Sequence, residues 1–401
     1  MTWKYKYFQG NCHSAQPSGM KQPPEAPPWR RFLPREEFLT QQQAQKQADE
    51  QEQTKDEIYW TKLQNLADED TRAIQRGKSF RISTGKEGMA VIDAVNAAIH
   101  LRRPLLVTGA PGSGKTSLAY AIAYELQLGP VLTWPITARS NLVDAEYRYD
   151  AIARLQDAQL DKTRNLIDLA VLLGVDVSRL QEAQLDKTRQ GAATPEEGDL
   201  GDYIQLGPVG TAFLPSLRPR VLLIDEIDKS DLNLPNDLLN LFEEGEFEIP
   251  ELVRRKRRGQ DTDDPNATVT VRTADKEMEA PVTNGRVKCC EFPIVIMTSN
   301  GERDFPPAFY RRCLRVQMPS PDEDSLKPIV QSHFEESDRW DEVESLIRKF
   351  VSKDKGKTSD RATDQLLNAV YLMGRHPDSL SADEKTRLRE LLFQSLGGTD
   401  A

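Results

Sequence analysis

Eight consecutive residues, Gly109-Ala110-Pro111-Gly112-Ser113-Gly114-Lys115-Thr116, constrain this chain more than any other feature. They follow an apolar run, Pro104 to Thr108, that reads as a buried strand, and they precede Ser117 to Leu126, which reads as a helix. Glycines at this junction let backbone N–H groups wrap a phosphate at a helix N-terminus, where the helix dipole favours negative charge. In that setting Lys115 is suited to hold β- and γ-phosphates and Thr116 to ligate Mg²⁺, with Gly109 to Ser117 as the nucleotide contacts. A bare glycine-rich turn explains neither the lysine nor the hydroxyl.

A loop of this kind needs a sheet behind it. Further strand-like apolar runs occur at Pro130 to Pro135, Arg220 to Asp225, Phe292 to Thr298 and Leu314 to Met318, with helical patterns between them. That alternation predicts an α/β fold: a parallel five-stranded sheet sandwiched by helices. The run Val221 to Ile224 leads into Asp225 and Glu226, two carboxylates at the C-terminal end of a buried strand, where ligands of open α/β sheets gather. Asp225 is suited to the magnesium shell and Glu226 to orienting and deprotonating an attacking water. Beyond Pro319 the strand patterns stop. Apolar spacing at Leu326 to Phe334, Val343 to Val351, Leu366 to Met373 and Leu388 to Leu396 predicts an all-helical lid domain over 319–401.

Residues 1–80 read as an N-terminal arm. Gln22 to Arg35 is crowded with prolines around Trp29, Phe32 and Leu33, and Gln41 to Glu57 lacks an apolar stripe, so the arm is expected to be largely extended or exposed helix. A hydrophobic fraction of 38% beside 29% charged residues agrees with some length lying outside a packed core. The nucleotide-binding domain is expected over 81–318. Within it, RLQDAQLDKTR (154–164) recurs as RLQEAQLDKTR (179–189), a local duplication whose mostly charged face reads as solvated. Arg254 to Arg258 reads as a solvated loop, partly neutralised by Asp261 to Asp264, in preference to a contact for an acidic partner or nucleic acid. Net charge −10 opposes coating of nucleic acid by the whole molecule. The four cysteines and four histidines show neither disulfide nor metal-ligand spacing, and no signal peptide or run of about 18 apolar residues occurs. A reducing cytoplasm, with no membrane partner, is the expectation.

With the P-loop and the Asp225-Glu226 pair in place, Met297-Thr298-Ser299-Asn300 resembles the sensor-1 strand of AAA+ ATPases, which implies that Asn300 positions the lytic water. Phe305-Pro306-Pro307-Ala308-Phe309-Tyr310-Arg311-Arg312 resembles the segment presenting the arginine finger, with Arg312 the first choice and Arg311 the alternate. Ser359-Asp360-Arg361-Ala362 resembles sensor 2, which implies a γ-phosphate contact for Arg361. Within AAA+ proteins the chain looks like the MoxR-like, helix-2-insert branch, on Tyr203-Ile204-Gln205-Leu206-Gly207-Pro208, DEIDKSD and LLNLFEEGEFEIP, over roughly Arg81 to Leu396. The branch implies a helix-2 insertion, placed at about 149–203, and a hairpin before sensor 1, placed at about 248–290. This sequence departs from it at Asp360, where proline is common, at Arg311-Arg312, where an Asp-Arg pair is common, and in the length of the insertion.

The resemblance implies an ATPase that hydrolyses ATP between subunits of a ring, usually a hexamer, to remodel a client protein. Such proteins often act with a separate partner carrying a von Willebrand factor A domain, in chaperone-like maturation or in conflict and stress systems. Two other readings use the same site: a nucleic-acid-dependent motor of the restriction type, and a slow ATP-gated scaffold.

Overall fold

The computed structural model describes residues 6–10, 20, 22–48, 53–82, 85–159, 200–257, 268–320, 323–333, 340–351 and 363–375, with isolated helical positions at 384, 387, 388 and 392. The chain divides into two compact units: Met1–Leu142 with Pro215–Gly245 and Lys288–Ala401, and Val143–Leu214 with Glu246–Val287. In chain order the described strands are β1 (Leu105–Thr108), β2 (Leu132–Pro135), β3 (Tyr147–Tyr149), β4 (Ile204–Leu206), β5 (Val221–Asp225), β6 (Glu246–Glu248), β7 (Thr268–Arg272), β8 (Glu279–Thr283), β9 (Arg286–Lys288), β10 (Ile294–Ser299) and β11 (Leu314–Gln317).

The first unit is built on a five-stranded sheet in the order β11-β1-β10-β5-β2, every neighbouring pair parallel. Leu105 to Val107, Val221 to Ile224 and Ile294 to Met297 are all buried, as the continuous apolar runs of a sheet covered on both faces require. Helices Lys86–Leu101, Lys115–Leu126 and Leu234–Glu244 supply buried apolar faces of their own. Thr108 pairs with Ser299, and Met297 with Ile224, so β1, β5 and β10 end level along one edge of the sheet. The three turns that follow them emerge together, which is what positions the site.

After β11 come helices Glu323–His333, Trp340–Val351 and Thr363–Arg375. Leu326, Val330, Ile347, Phe350, Leu366 and Ala369 are among the residues of a single buried cluster joining them. The expected fourth helix, over Leu388 to Leu396, lies outside the described residues apart from Leu388 and Leu392.

Over 1–80, expected to be largely extended or exposed helix, the described residues include three α-helices and several buried side chains. Helices Arg35–Ala48, Lys55–Glu69 and Thr71–Ser79 belong to the first unit, and Trp60 and Leu63, one turn apart, are 2% and 0% exposed. Trp60 Nε1 donates to Ser216 Oγ at 2.7 Å, and Ser216 Oγ donates to the buried Asp56 at 2.8 Å. Phe8 is fully buried; Asn96 Oδ1 accepts from the amides of Tyr7 (2.8 Å) and Phe8 (3.1 Å), and Asn96 Nδ2 donates to the Phe8 carbonyl (2.8 Å). Arg30 donates to the carbonyls of Arg102 and Phe242, and the Phe32 ring stacks on Phe292 with centroids 5.6 Å apart. The segment is held by isolated large side chains and by buried polar groups that bind its backbone, neither of which produces an apolar stripe.

The second unit holds a six-stranded sheet in the order β3-β4-β7-β8-β9-β6. Within 248–290, β7 and β8 pair antiparallel, with Val269, Val271, Ala280 and Val282 alternating inward. Arg254 to Arg257, expected in a loop, close the helix Pro250–Arg257; Arg258 and Asp261 to Asp264 lie outside the described residues. The second copy of the repeat, and most of the expected helix-2 insertion, also lie outside them. Among the described residues no helix is long and apolar enough to cross a membrane.

Candidate active site

The turn after β1 is shaped by Gly112 (φ +73°) and Gly114 (φ +89°), left-handed positions that glycine alone adopts freely. Helix Lys115–Leu126 starts at Gly114 without a side-chain cap, leaving first-turn amides for whatever the loop encloses. Leu118, Ala119, Ala121 and Ile122 are fully buried and fix this helix to the unit. Lys115 is only 7% exposed, and its Nζ donates to the carbonyls of Gly109 and Ala110, both at 2.8 Å. Burial lowers its pKa, and the negative charges of Asp228, Asp225 and Glu226 act in the opposite direction.

Across the edge, Asp225 ends β5. Its Oδ1 accepts from Thr298 Oγ1 at 2.6 Å and from Thr116 Oγ1 at 3.1 Å. Because Met297 is opposite Ile224, the register sets Thr298 beside Asp225. Thr298 Oγ1 also accepts from the Glu226 amide at 2.8 Å, holding that residue at φ +60°, a costly conformation for a side chain of this kind. The Glu226 carboxylate meets Lys229 Nζ at 2.7 Å. One turn further, Asp228 Oδ2 accepts from the amides of Asn300 (2.9 Å) and Glu302 (3.2 Å).

A cavity of about 740 Å³ collects these groups: Pro111 to Ser117, Asp225, Glu226, Thr298 and Asn300 all line it. The predicted P-loop, acidic pair and sensor-1 residues thus meet at one place. Neither Arg311 nor Arg312 lines it. Both sit on helix Pro307–Arg312, where Arg312 forms an ion pair with Glu243 and Arg311 is exposed with no side-chain partner among the described residues. Arg361 lies outside the described residues.

Sequence reading missed one wall of the cavity. Arg72, Gln75, Arg76 and Ser79 reach it from helix Thr71–Ser79, followed by Phe80, Arg81 and Ile82. Arg76 stacks over the Tyr120 ring at 4.6 Å and lies 3.4 Å from Ser117 Oγ. The i, i+3, i+4 spacing of Arg72, Gln75, Arg76 and Ser79 was the available signal. From the helical region, Thr363 Oγ1 donates to the Gly112 carbonyl at 2.9 Å. The described cysteines are not activated thiols: burial pushes those of Cys290 and Cys313 up to about 12, and that of Cys289 upward as well.

The profile of the AAA domain (dynein-related subfamily) matches residues 104–313. Among solved structures, NtrX from Brucella abortus in complex with ADP aligns with 80% of this chain and 58% of its own, at 14% identity and a TM-score of 0.37. The RuvB Holliday junction branch migration motor of Thermotoga maritima aligns with 77% of this chain and 70% of its own, at 13% identity and a TM-score of 0.35. This chain thus spans less than two thirds of the NtrX chain. No curated protein matches it. With the profile covering more than half of its 401 residues, the chain belongs to the AAA domain family, dynein-related subfamily, and has the AAA+ ATPase fold.

Proposed function

We propose that this protein is an ATPase that binds Mg·ATP in the cavity between the P-loop and the turns after β5 and β10, and hydrolyses it in a ring of identical chains. The observation that carries this is the meeting of Lys115, Thr116, Asp225, Glu226 and Asn300 on one cavity wall system, from three separate strand ends. The donor set suits magnesium. Thr116 Oγ1 and Asp225 Oδ1 stand 3.1 Å apart, a hydroxyl and one carboxylate of the kind this ion takes alongside phosphate and water, and Ser113, in the same cavity lining, has a buried Oγ with no hydrogen-bond partner among the described residues. Magnesium, when bound, would neutralise charge on the β- and γ-oxygens.

The chain's own residues divide the work. Gly109 to Ser117 bind the phosphates, and Lys115 exchanges its two carbonyl partners for phosphate oxygens. Glu226 takes a proton from water as the water oxygen bonds to the γ-phosphorus and the bond to the β–γ bridging oxygen breaks, yielding ADP and phosphate. Asn300 orients that water. Arg312, with Arg311 as alternate, serves a neighbouring subunit's site, in keeping with the absence of both from the lining of the chain's own cavity. Arg361 and the region 319–401 act as the lid that reports loss of the γ-phosphate. In this reading the assembly is a MoxR-like hexamer in the cytoplasm, remodelling a protein client with a partner of the von Willebrand factor A type.

Steady-state hydrolysis and nucleotide titration test it. Lys115→Ala loses nucleotide binding, Glu226→Gln binds ATP but stalls, and Arg312→Ala binds ATP yet fails to activate neighbours. A wild type with no affinity for Mg·ATP, or wild-type turnover in both of the first two variants, refutes the reading.

A further inference from the structure

Two turns must hold Glu226 and Asn300 at a fixed separation if one is to deprotonate a water that the other orients. Each follows a different strand, and side chains at the turns themselves tie them together. Asp228 lies on the single 3₁₀ turn Ile227–Lys229, is 5% exposed, and uses one oxygen, Oδ2, to accept from the amides of both Asn300 and Glu302. In return, Arg303 reaches back from the β10 turn: Nη1 donates to the Ser230 carbonyl (2.8 Å), and Nη2 to Ser230 Oγ (3.1 Å) and the Asp231 carbonyl (3.0 Å). The link is reciprocal, a carboxylate from the first turn on amides of the second and a guanidinium from the second on carbonyls of the first.

Asp228 does not line the cavity, so it acts through its neighbours. Resting on the functional reading above, the geometry points to Asp228 as a positioning residue that sets Asn300 relative to Glu226 through the Asn300 main-chain amide, with Arg303 closing the link from the other side. What Asp228 supplies is an acceptor oxygen in a fixed place. Its charge is a separate matter: among the acidic groups acting on Lys115 it is the strongest, and its Oδ1 is buried without a hydrogen-bond partner among the described residues. An amide in place of the carboxylate removes the charge and keeps the acceptor, which separates the two roles.

The experiment compares Asp228→Ala, Asp228→Asn and Arg303→Ala with the full-length wild type. Two readouts are taken: kcat and KM for ATP, and hydrogen exchange over Ser299–Arg303. In Asp228→Ala, kcat falls by about 10- to 100-fold, the size expected when a reacting group is displaced by about 1 Å, while KM stays within about threefold. The amides of Asn300 and Glu302 lose protection. Asp228→Asn keeps kcat within about fivefold of wild type and retains protection, because its side-chain oxygen still accepts both bonds. Arg303→Ala, which leaves the buried carboxylate untouched, lowers kcat without raising KM and covers the case in which Asp228→Ala does not fold. If Asp228→Asn is as impaired as Asp228→Ala, the charge and not the acceptor matters, and the inference is overturned; unchanged exchange in Asp228→Ala overturns it whatever the activity. A wild type that hydrolyses nothing refutes the functional reading, and the exchange data still decide whether Asp228 holds the turn.

Discussion

Thr298→Val removes one oxygen from the site and changes the side chain's shape very little. That oxygen makes two bonds at a position 1% exposed, donating to Asp225 and accepting from the Glu226 amide. A hydrogen bond to a charged acceptor contributes about 1.5–3 kcal/mol, and leaving the Glu226 N–H unpaired costs about 1–3 kcal/mol. A buried methyl in place of the hydroxyl gives back about 1 kcal/mol. The expected net loss of stability is about 1.5–5 kcal/mol, read as a lowered denaturation midpoint with unchanged slope. Turnover falls too. The Glu226 amide bond helps hold that residue at φ +60°, and a backbone relaxing from this angle re-aims the carboxylate. Nucleotide affinity, which rests on the P-loop, changes little, and Thr298→Ser, which keeps the hydroxyl, stays near wild type in both measurements. If Thr298→Val loses less than about 0.5 kcal/mol and turns over like Thr298→Ser, the hydroxyl does not organise the two carboxylates and the account of this turn is wrong.

Two further outcomes test the packing on which the site depends. A Cβ on Gly77 would lie 2.8 Å from both the Tyr120 carbonyl oxygen and Tyr124 Cβ. Gly77→Ala must therefore push helix Thr71–Ser79 off the P-loop helix, costing about 1–3 kcal/mol in thermal unfolding and weakening ATP binding in a titration, because Phe80 and Arg81 move with it; wild-type values in both would show that this wall plays no part. In the second unit, burial pushes the Glu146 carboxyl up to about 7, so the folded state holds a proton that the unfolded chain releases near 4.5. The resulting stability is fully present below pH 4.5 and is lost as pH rises through 7, so Glu146→Gln should match wild type at pH 4 and exceed it by roughly 3 kcal/mol at pH 8; equal denaturation midpoints for the two proteins at pH 8 would count against a carboxyl whose pKa is raised by burial.

What could be read from the sequence was what is local. The P-loop is eight adjacent residues, and each of the three central strands β1, β5 and β10 is a near-continuous apolar run because both of its faces are buried. What could not be read depends on partners far along the chain. The Arg72 to Ile82 wall exists because a helix from the N-terminal region lies on the P-loop helix, and Arg76 and Ser117 are 41 positions apart. The second sheet escaped notice because β3, β4, β6 and β9 are three residues each, too short to show alternation, and find partners across long intervals. The adjacent arginines show the same limit. Neighbours on a helix point about 100° apart, so only one of Arg311 and Arg312 can meet Glu243, and which one does so is decided by a different helix. Arg312, the first choice from sequence, is the one engaged; Arg311 is the one left exposed.

In the proposed mechanism, the contrast between the two bonds of Glu226 lets the turn be rigid and reactive at once. Its carboxylate is paired with Lys229 at a position where both side chains are more than 40% exposed, and such a pair contributes about 0–1 kcal/mol. Its amide is held by a hydroxyl that is itself buried and bonded to Asp225. The first interaction can be exchanged for a water at almost no cost, whereas breaking the second orphans a donor and releases a strained backbone. The main chain therefore fixes where the carboxylate starts from, and the weak surface pair leaves it free to turn towards the cavity. Asp228 does for Asn300 what Thr298 does for Glu226: each holds a main-chain amide with a buried oxygen and leaves the working side chain unencumbered.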